Sequence, residues 1–189
     1  RTFWDYAAIP RWKGKTYATK PESDLDHVFD MLDLWFEAKA QGLFSATSKL
    51  KEEDILSLII LHDLPEIMNG DITAERKREL DEDAKKALQE KEMKAFLLLL
   101  ERVPEEKRER LEGLFRKYEH RDEKTYPEGQ IVKFLDVLQA MDFGLRNVFP
   151  YQVKRGKKFK PLSLRNLKKI VTKLPFLPQE KIFEFISHK

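Results

Sequence analysis

His62 and Asp63 stand side by side at the end of an apolar run formed by Ile55, Leu56, Leu58, Ile59, Ile60 and Leu61. Glu66 and Asp71 follow within nine residues of His62, in the stretch His62-Asp63-Leu64-Pro65-Glu66-Ile67-Met68-Asn69-Gly70-Asp71. Imidazole and carboxylate groups are costly to desolvate in apolar surroundings unless something pairs with them. A bound metal ion is the most economical partner for this cluster. His27 lies close to the apolar side of an amphipathic segment, and Asp136 lies in a segment with almost no polar face. Each has an ordinary reading as well: a core or boundary histidine, and a salt bridge to a nearby Lys or Arg. Taken together, His27, His62, Asp63 and Asp136 form a nitrogen and oxygen donor set, one contribution from each of three apolar segments. Such a set suits Mn, Fe, Co, Ni or Zn, and Mg fits less well, because Mg and Ca favour all-oxygen shells. The chain has no cysteine, so no thiolate ligand or disulfide competes with this reading.

The elements that must position these residues read as all helical. Residues 23–41 carry Leu25, Val28, Phe29, Leu32, Trp35 and Phe36 at a period near 3.6, with Ser23 or Asp24 as cap. A second helix is expected over residues 49–64, and Pro65 should interrupt it or open a new turn. Residues 80–102 predict a long charged helix with an apolar stripe, stopped by Pro104. Another helix is expected from 105 to 118, and an almost wholly apolar one over 130–147. On that last helix Lys133, Asp136 and Gln139, spaced by three, make one narrow polar strip. Short helices near 162–173 and 179–187 close the chain. Alternating strand patterns joined by tight turns are missing. Adjacent residues on a helix point about 100° apart, so His62 and Asp63 reach one ion only from a groove between packed helices.

The ordered set His27, His62-Asp63, Asp136 resembles the signature of HD-domain metal-dependent phosphohydrolases. The spacing His62-Asp63-x-x-Glu66-x-x-x-Gly70-Asp71, the pair Lys133 and Asp136, and Arg11-Trp12 upstream resemble the 5′-deoxynucleotidase branch of that family. The resemblance covers roughly residues 10–145 and implies an all-α helical bundle with a metal site between helices. It implies that His27, His62, Asp63 and Asp136 hold one divalent transition metal. Glu66 would be the general acid or base, and Asp71 a second carboxylate near the site. Arg11 would bind phosphate, Trp12 would pack near the sugar, and Lys133 would touch phosphate or neutralise a carboxylate. The expected reaction is hydrolysis of deoxynucleoside 5′-monophosphates by a cytoplasmic homodimer, with residues 80–102 offering an interface. The chain departs from the family's usual Glu-His-Ser around the first histidine, with Asp26-His27-Val28 in its place. Binuclear HD phosphodiesterases and HD-type oxygenases use more histidines between the HD pair and the last aspartate, where this chain has only His120. His120 and His188 read as surface residues.

Composition agrees with an enzyme of this kind. The chain has 189 residues, 41% hydrophobic and 37% charged, a globular balance. It reads as a single domain over 1–189, with a core of about 10–150 and a helical extension over 151–189. No apolar run approaches the roughly 18–20 residues that span a membrane. The N-terminus shows no signal-peptide pattern, and position 1 is not Met. The net charge of +3 does not argue for nucleic acid. A basic segment at 154–169, with Tyr151 and Phe159 nearby, has the makings of a nucleic-acid contact, but a solvated face is the favoured reading. Two other functions stay open: a deoxynucleoside triphosphate triphosphohydrolase of dATPase type, and a non-catalytic nucleotide- or nucleic-acid-binding HD protein.

Overall fold

The structure, a computed structural model, describes residues 7–11, 21–45, 47, 50–70, 72, 74–120, 126–148, 169–172 and 174–187. In chain order the helices are α1 (Asp24–Ala40), α2 (Glu52–Leu61), α3 (Glu66–Asn69), α4 (Ala74–Glu79), α5 (Glu82–Leu100), α6 (Glu105–His120), α7 (Pro127–Phe143) and α8 (Gln179–Ser187). A π-helical turn, Gly144–Val148, prolongs α7. No strand occurs among the described residues; an isolated antiparallel bridge joins Pro10 to Ser23. The fold is all-α.

Local chemistry sets the ends of α1 and α7. Ser23 caps α1: its hydroxyl accepts from the Asp26 N–H while the Asp26 carboxylate accepts from the Ser23 N–H at 2.9 Å. This reciprocal capping box satisfies two backbone donors that a helix start leaves exposed. Asp26, the acid retained beside His27, is therefore a cap. Pro127 opens α7, where its fixed φ suits a first turn and its missing N–H costs nothing.

Helix α2 is shorter than the 49–64 expected. Pro65 has no N–H, and the chain tightens before it, with the Leu64 N–H donating to the Leu61 carbonyl at 3.1 Å. The Glu66 N–H then bonds the Asp63 carbonyl at 2.9 Å, and α3 starts. Helix α5 ends two residues short of the expected 102, and α4 is a short element that periodicity does not reveal. Of the segment expected at 162–173, residues 169–171 are helical, and 162–168 lie outside the described residues.

Helices α1, α2 and α7 pack against one another pairwise, α6 lies on α2 and α5, and α3 lies on α5. The shared core holds Met31 and Trp35 from α1, Ile55, Leu58 and Ile59 from α2, and Ile131, Leu135 and Leu138 from α7. Ile182 and Phe185 of α8 belong to the same cluster. Each such side chain contributes about 1.5–3 kcal/mol on burial. A second cluster joins Leu61, Phe96, Leu100 and Phe115, with the Phe96 and Phe115 rings stacked 4.0 Å apart. It buries the apolar end of α5. The three-way contact of α1, α2 and α7 brings together the segments that carry His27, His62-Asp63 and Asp136.

Candidate metal centre

His27 lies one turn into α1 and is fully buried. His62 caps the C-terminus of α2, and Asp63 follows in the tight turn before Pro65. Their donor atoms converge: one atom each from His27, His62 and Asp63 lies within 4.8 Å of the others. Asp63 Oδ2 sits 3.1 Å from His62 Nε2 and 3.8 Å from His27 Nε2. The imidazole ring centroids are 5.4 Å apart. From α7, Asp136 Oδ1 approaches His27 Nε2 to 3.5 Å, and its Oδ2 accepts a short hydrogen bond from Lys133 Nζ. Asp136 thus has both its ordinary partner and a place beside the histidines.

The turn made by Pro65 answers the orientation problem. A regular helix would swing His62 and Asp63 about 100° apart. Here the chain leaves α2 at His62, and both side chains face the same space. The same break takes Glu66 off the helix that carries His62. Glu66 begins α3 and is buried, and its charge helps to raise the pKa of Arg11.

Arg11 reaches the centre from an extended segment held by the Arg11 N–H to Glu22 carbonyl bond (2.9 Å) and the Asp24 N–H to Ile9 carbonyl bond (3.1 Å). Its Nη1 donates to Asp63 Oδ2 at 2.7 Å and lies 3.6 Å from Asp24 Oδ1, and its Nε lies 3.7 Å from Glu22 Oε2. Burial opposes its charge, yet Asp63, Asp136, Glu66 and Asp24 raise its pKa well above the ordinary value. Trp12, Asp71, His188 and residues 154–168 of the basic segment lie outside the described residues.

The electrostatics follow from crowding unlike charges in a dry space. Burial pushes His27 below its ordinary imidazole value, and the Arg11 cation adds to that. Burial opposes charge at His62 too, but the Asp63 carboxylate outweighs it and raises His62. At Asp63 burial favours the neutral acid, yet His62 and Arg11 hold the carboxyl well below the usual range. Lys133 and His27 overcome burial in the same way at Asp136.

Several residues beyond the expected site surround the centre. Gln139 accepts from or donates to His27 Nδ1 at 2.6 Å, and its amide also reaches Glu22 and Asp30. Buried Glu22 and Asp24 flank Arg11. Lys77 of α4 pairs with Glu92 Oε1 of α5 at 3.0 Å. Burial opposes its charge, but Glu92, Asp63 and Glu66 together raise it. Lys133, Asp136 and Gln139 announce themselves as a polar strip on an apolar helix; Glu22, Asp24 and Lys77 sit in charge-rich stretches where nothing distinguishes them.

The centre meets the requirements of a metal site on its own chemistry. His27 Nε2 and His62 Nε2 are buried and have no hydrogen-bond partner among the described residues, although both face carboxylate oxygens. Two unshared imidazole nitrogens beside two ionised carboxylates match a borderline divalent transition ion.

Comparison with known proteins agrees with this geometry. The HD domain profile matches residues 8–175. A Xenopus laevis protein named 5′-deoxynucleotidase HDDC2 is 27% identical over 147 residues, covering 76% of this chain. The match spans 61% of that relative's own length. Among solved structures, a conserved hypothetical protein from Pyrococcus furiosus superposes with a TM-score of 0.67 at 24% identity, covering 98% of this chain and 93% of that one. A predicted metal-dependent phosphohydrolase from Magnetospirillum magnetotacticum gives 0.61 at 19% identity, covering 97% and 83%. With the His27, His62-Asp63 and Asp136 segments gathered at one centre and the profile matched over most of its length, the chain belongs to the HD-domain family.

Proposed function

We propose that this protein is a metal-dependent phosphohydrolase that converts deoxynucleoside 5′-monophosphates to deoxynucleoside and inorganic phosphate. The observation that carries the reading is the pair of buried, unshared imidazole nitrogens facing Asp63 and Asp136. The likeness to the Xenopus laevis deoxynucleotidase supports the substrate class. His27, His62, Asp63 and Asp136 would hold one ion of Co, Mn, Zn, Ni or Fe. Such an ion supplies Lewis acidity toward a phosphoryl oxygen and an acidified water.

The protein's own groups do the rest. Glu66, buried at the start of α3 four residues after His62, is the general acid or base: it takes a proton from the attacking water or gives one to the departing 5′ oxygen. Hydrolysis forms one P–O bond to water and breaks the P–O5′ bond, so one proton must travel between them. Arg11 is held permanently charged and presents a planar fork suited to phosphate oxygens. Lys133 balances Asp136 and is assigned to a phosphate contact. Asp71 is assigned to a second carboxylate role, and Trp12 to the sugar. The protein is read as a cytoplasmic homodimer, which sedimentation would test by mass.

Product analysis tests the activity. The protein is stripped, reloaded separately with Co, Mn, Zn, Ni or Mg, and offered deoxy- and ribonucleoside mono- and triphosphates. Phosphate plus nucleoside from deoxy monophosphates, lost in Glu66→Ala and Asp136→Ala, is the expected result. Tripolyphosphate from triphosphates would replace this reading with a triphosphohydrolase. Retention of radiolabelled DNA or RNA at low salt without hydrolysis would replace it with a binding role.

A further inference from the structure

We infer that Gln139 is a positioning residue that sets the tautomer of His27 and thereby the nitrogen His27 offers to a metal ion. The inference rests on the metal reading of the site, and it follows from which atoms can donate. Gln139 Nε2 lies 2.6 Å from Glu22 Oε1 and 3.1 Å from Asp30 Oδ2. Ionised carboxylates only accept, so the amide NH₂ must face them. That leaves Gln139 Oε1 at 2.6 Å from His27 Nδ1. An amide oxygen also only accepts, so Nδ1 must carry the proton. Nε2 then keeps its lone pair, buried and aimed at the space shared with Asp63 and Asp136.

His62 reaches the same tautomer by another route. Its Nδ1 lies 2.9 Å from the Ile59 backbone carbonyl, which also only accepts. A backbone oxygen one turn back comes with the helix itself. The His27 arrangement instead depends on side chains from three elements: Gln139 from α7, Asp30 from α1, and Glu22 from the segment that also holds Arg11. Glu22 Oε2 lies 3.7 Å from Arg11 Nε, and Arg11 Nη1 lies 2.7 Å from Asp63 Oδ2. The relay is thus one arc of a closed circuit, from His27 through Gln139, Glu22 and Arg11 to Asp63, which faces His27 again at 3.8 Å. The three-residue spacing of Asp136 and Gln139 on α7 carries both edges of the same histidine.

The test uses the full chain, nitrogen-15 labelled and metal-free, at about pH 8.5, roughly two units above the ordinary imidazole value. Long-range proton–nitrogen correlation reads which ring nitrogen of His27 bears the proton. The parent protein should show a protonated Nδ1 and a pyridine-like Nε2. Gln139→Leu should shift His27 to a mixed or Nε2-protonated pattern while the His62 signals stay as in the parent, which also reports that the bundle is folded. Titration with Mn²⁺ or Co²⁺ alone should show affinity lower by roughly ten- to a hundred-fold. The parental spectrum keeps the test decisive if the leucine variant does not fold, because it reads the His27 tautomer without any substitution. An Nε2-protonated His27 in the parent, or a leucine variant with parental tautomer and affinity, would overturn the inference. Failure of the parent to bind any divalent ion would instead sink the metal reading, with the tautomer result standing by itself.

Discussion

Arg11 Nη1 lies 2.7 Å from Asp63 Oδ2, the same oxygen that His62 Nε2 approaches to 3.1 Å and His27 Nε2 to 3.8 Å. One carboxylate oxygen is therefore shared between the residue assigned to phosphate and the residues assigned to metal. In the metal-free protein the guanidinium joins His62 in offsetting the charge of Asp63, set in a space where an unpaired carboxylate would be costly.

Replacing Arg11 should expose that dependence. Arg11→Ala leaves Asp63, Asp24 and Glu22 without their shared cation, and breaking a buried pair in this way costs about 3–5 kcal/mol. The chemical midpoint of the metal-free variant should fall accordingly. A divalent ion can take over the neutralising role, so Mn²⁺ should raise the midpoint of Arg11→Ala by more than it raises that of the parent. An equal rise in both proteins would show that Arg11 and the ion do not share Asp63.

Glu66 and Asp136 should separate under mutation. Glu66→Gln preserves shape and adds no charge, so metal content measured by mass spectrometry should stay at the parental level. Turnover should drop by roughly 10²–10⁴, the usual contribution of a placed acid or base. Asp136→Ala should lose both metal and activity. A Glu66→Gln enzyme with parental turnover would remove Glu66 from the proposed chemistry.

Acid should destabilise the metal-free fold through Asp63 and Asp136. Both carboxyls titrate well below the ordinary value of about 3.9 in the folded state. Their stabilising contribution is complete above that unfolded value and is lost as the pH falls through the depressed folded ones. His62 has the opposite sign. Its raised imidazole adds stability below the unfolded value of about 6.5, and this fades as the pH rises through the folded value. His27, depressed by burial and by Arg11, opposes His62 over the same range, so the carboxyl contribution is read on the acid side, where urea midpoints should fall as the pH drops below about 4. The acid-side fall should be shallower in Asp136→Asn; an unchanged slope would count against Asp136 as a source of the effect.

Gly70 should not tolerate a side chain. It ends α3 at φ 73° and ψ 157°, a region almost confined to glycine. Its N–H still bonds the Glu66 carbonyl at 2.7 Å, and Asp71 follows directly. Among the described residues no heavy atom beyond the chain neighbours would lie within 4 Å of an added Cβ, so the expected penalty is conformational. Gly70→Ala should lower stability by about 1–3 kcal/mol in thermal unfolding. A loss below that range would mean that the turn relaxes without strain.

Much of the fold is legible along the chain because its signals are local. The 3.6 period in α1 and the near-continuous apolarity of α7 follow from which faces must be buried. Ser23, Pro65, Pro104 and Pro127 mark the joints, because a capping hydroxyl or a missing N–H acts within one turn. The short α4 and the early end of α2 are not legible. Periodicity cannot define a helix of six residues, and Pro65 tightens the turn ahead of itself by an amount that depends on how the next element packs.

The site divides along the same line. His27, His62, Asp63, Glu66 and Asp136 stand out in the chain because polar groups in apolar segments need a partner, and that need is a property of each segment alone. Folding decides where the partners come from. Glu22, Asp24 and Lys77 are unremarkable charged residues until packing places Glu22 and Asp24 beside Arg11 and sets Lys77 against Glu92. Gln139 shows its polar strip on α7, but its bond to His27 joins residues 112 apart and exists only once α1 and α7 are in contact. Burial creates a demand that any sequence displays locally, whereas hydrogen-bond geometry at distances near 3 Å is set by the relative placement of whole helices, which no single segment contains.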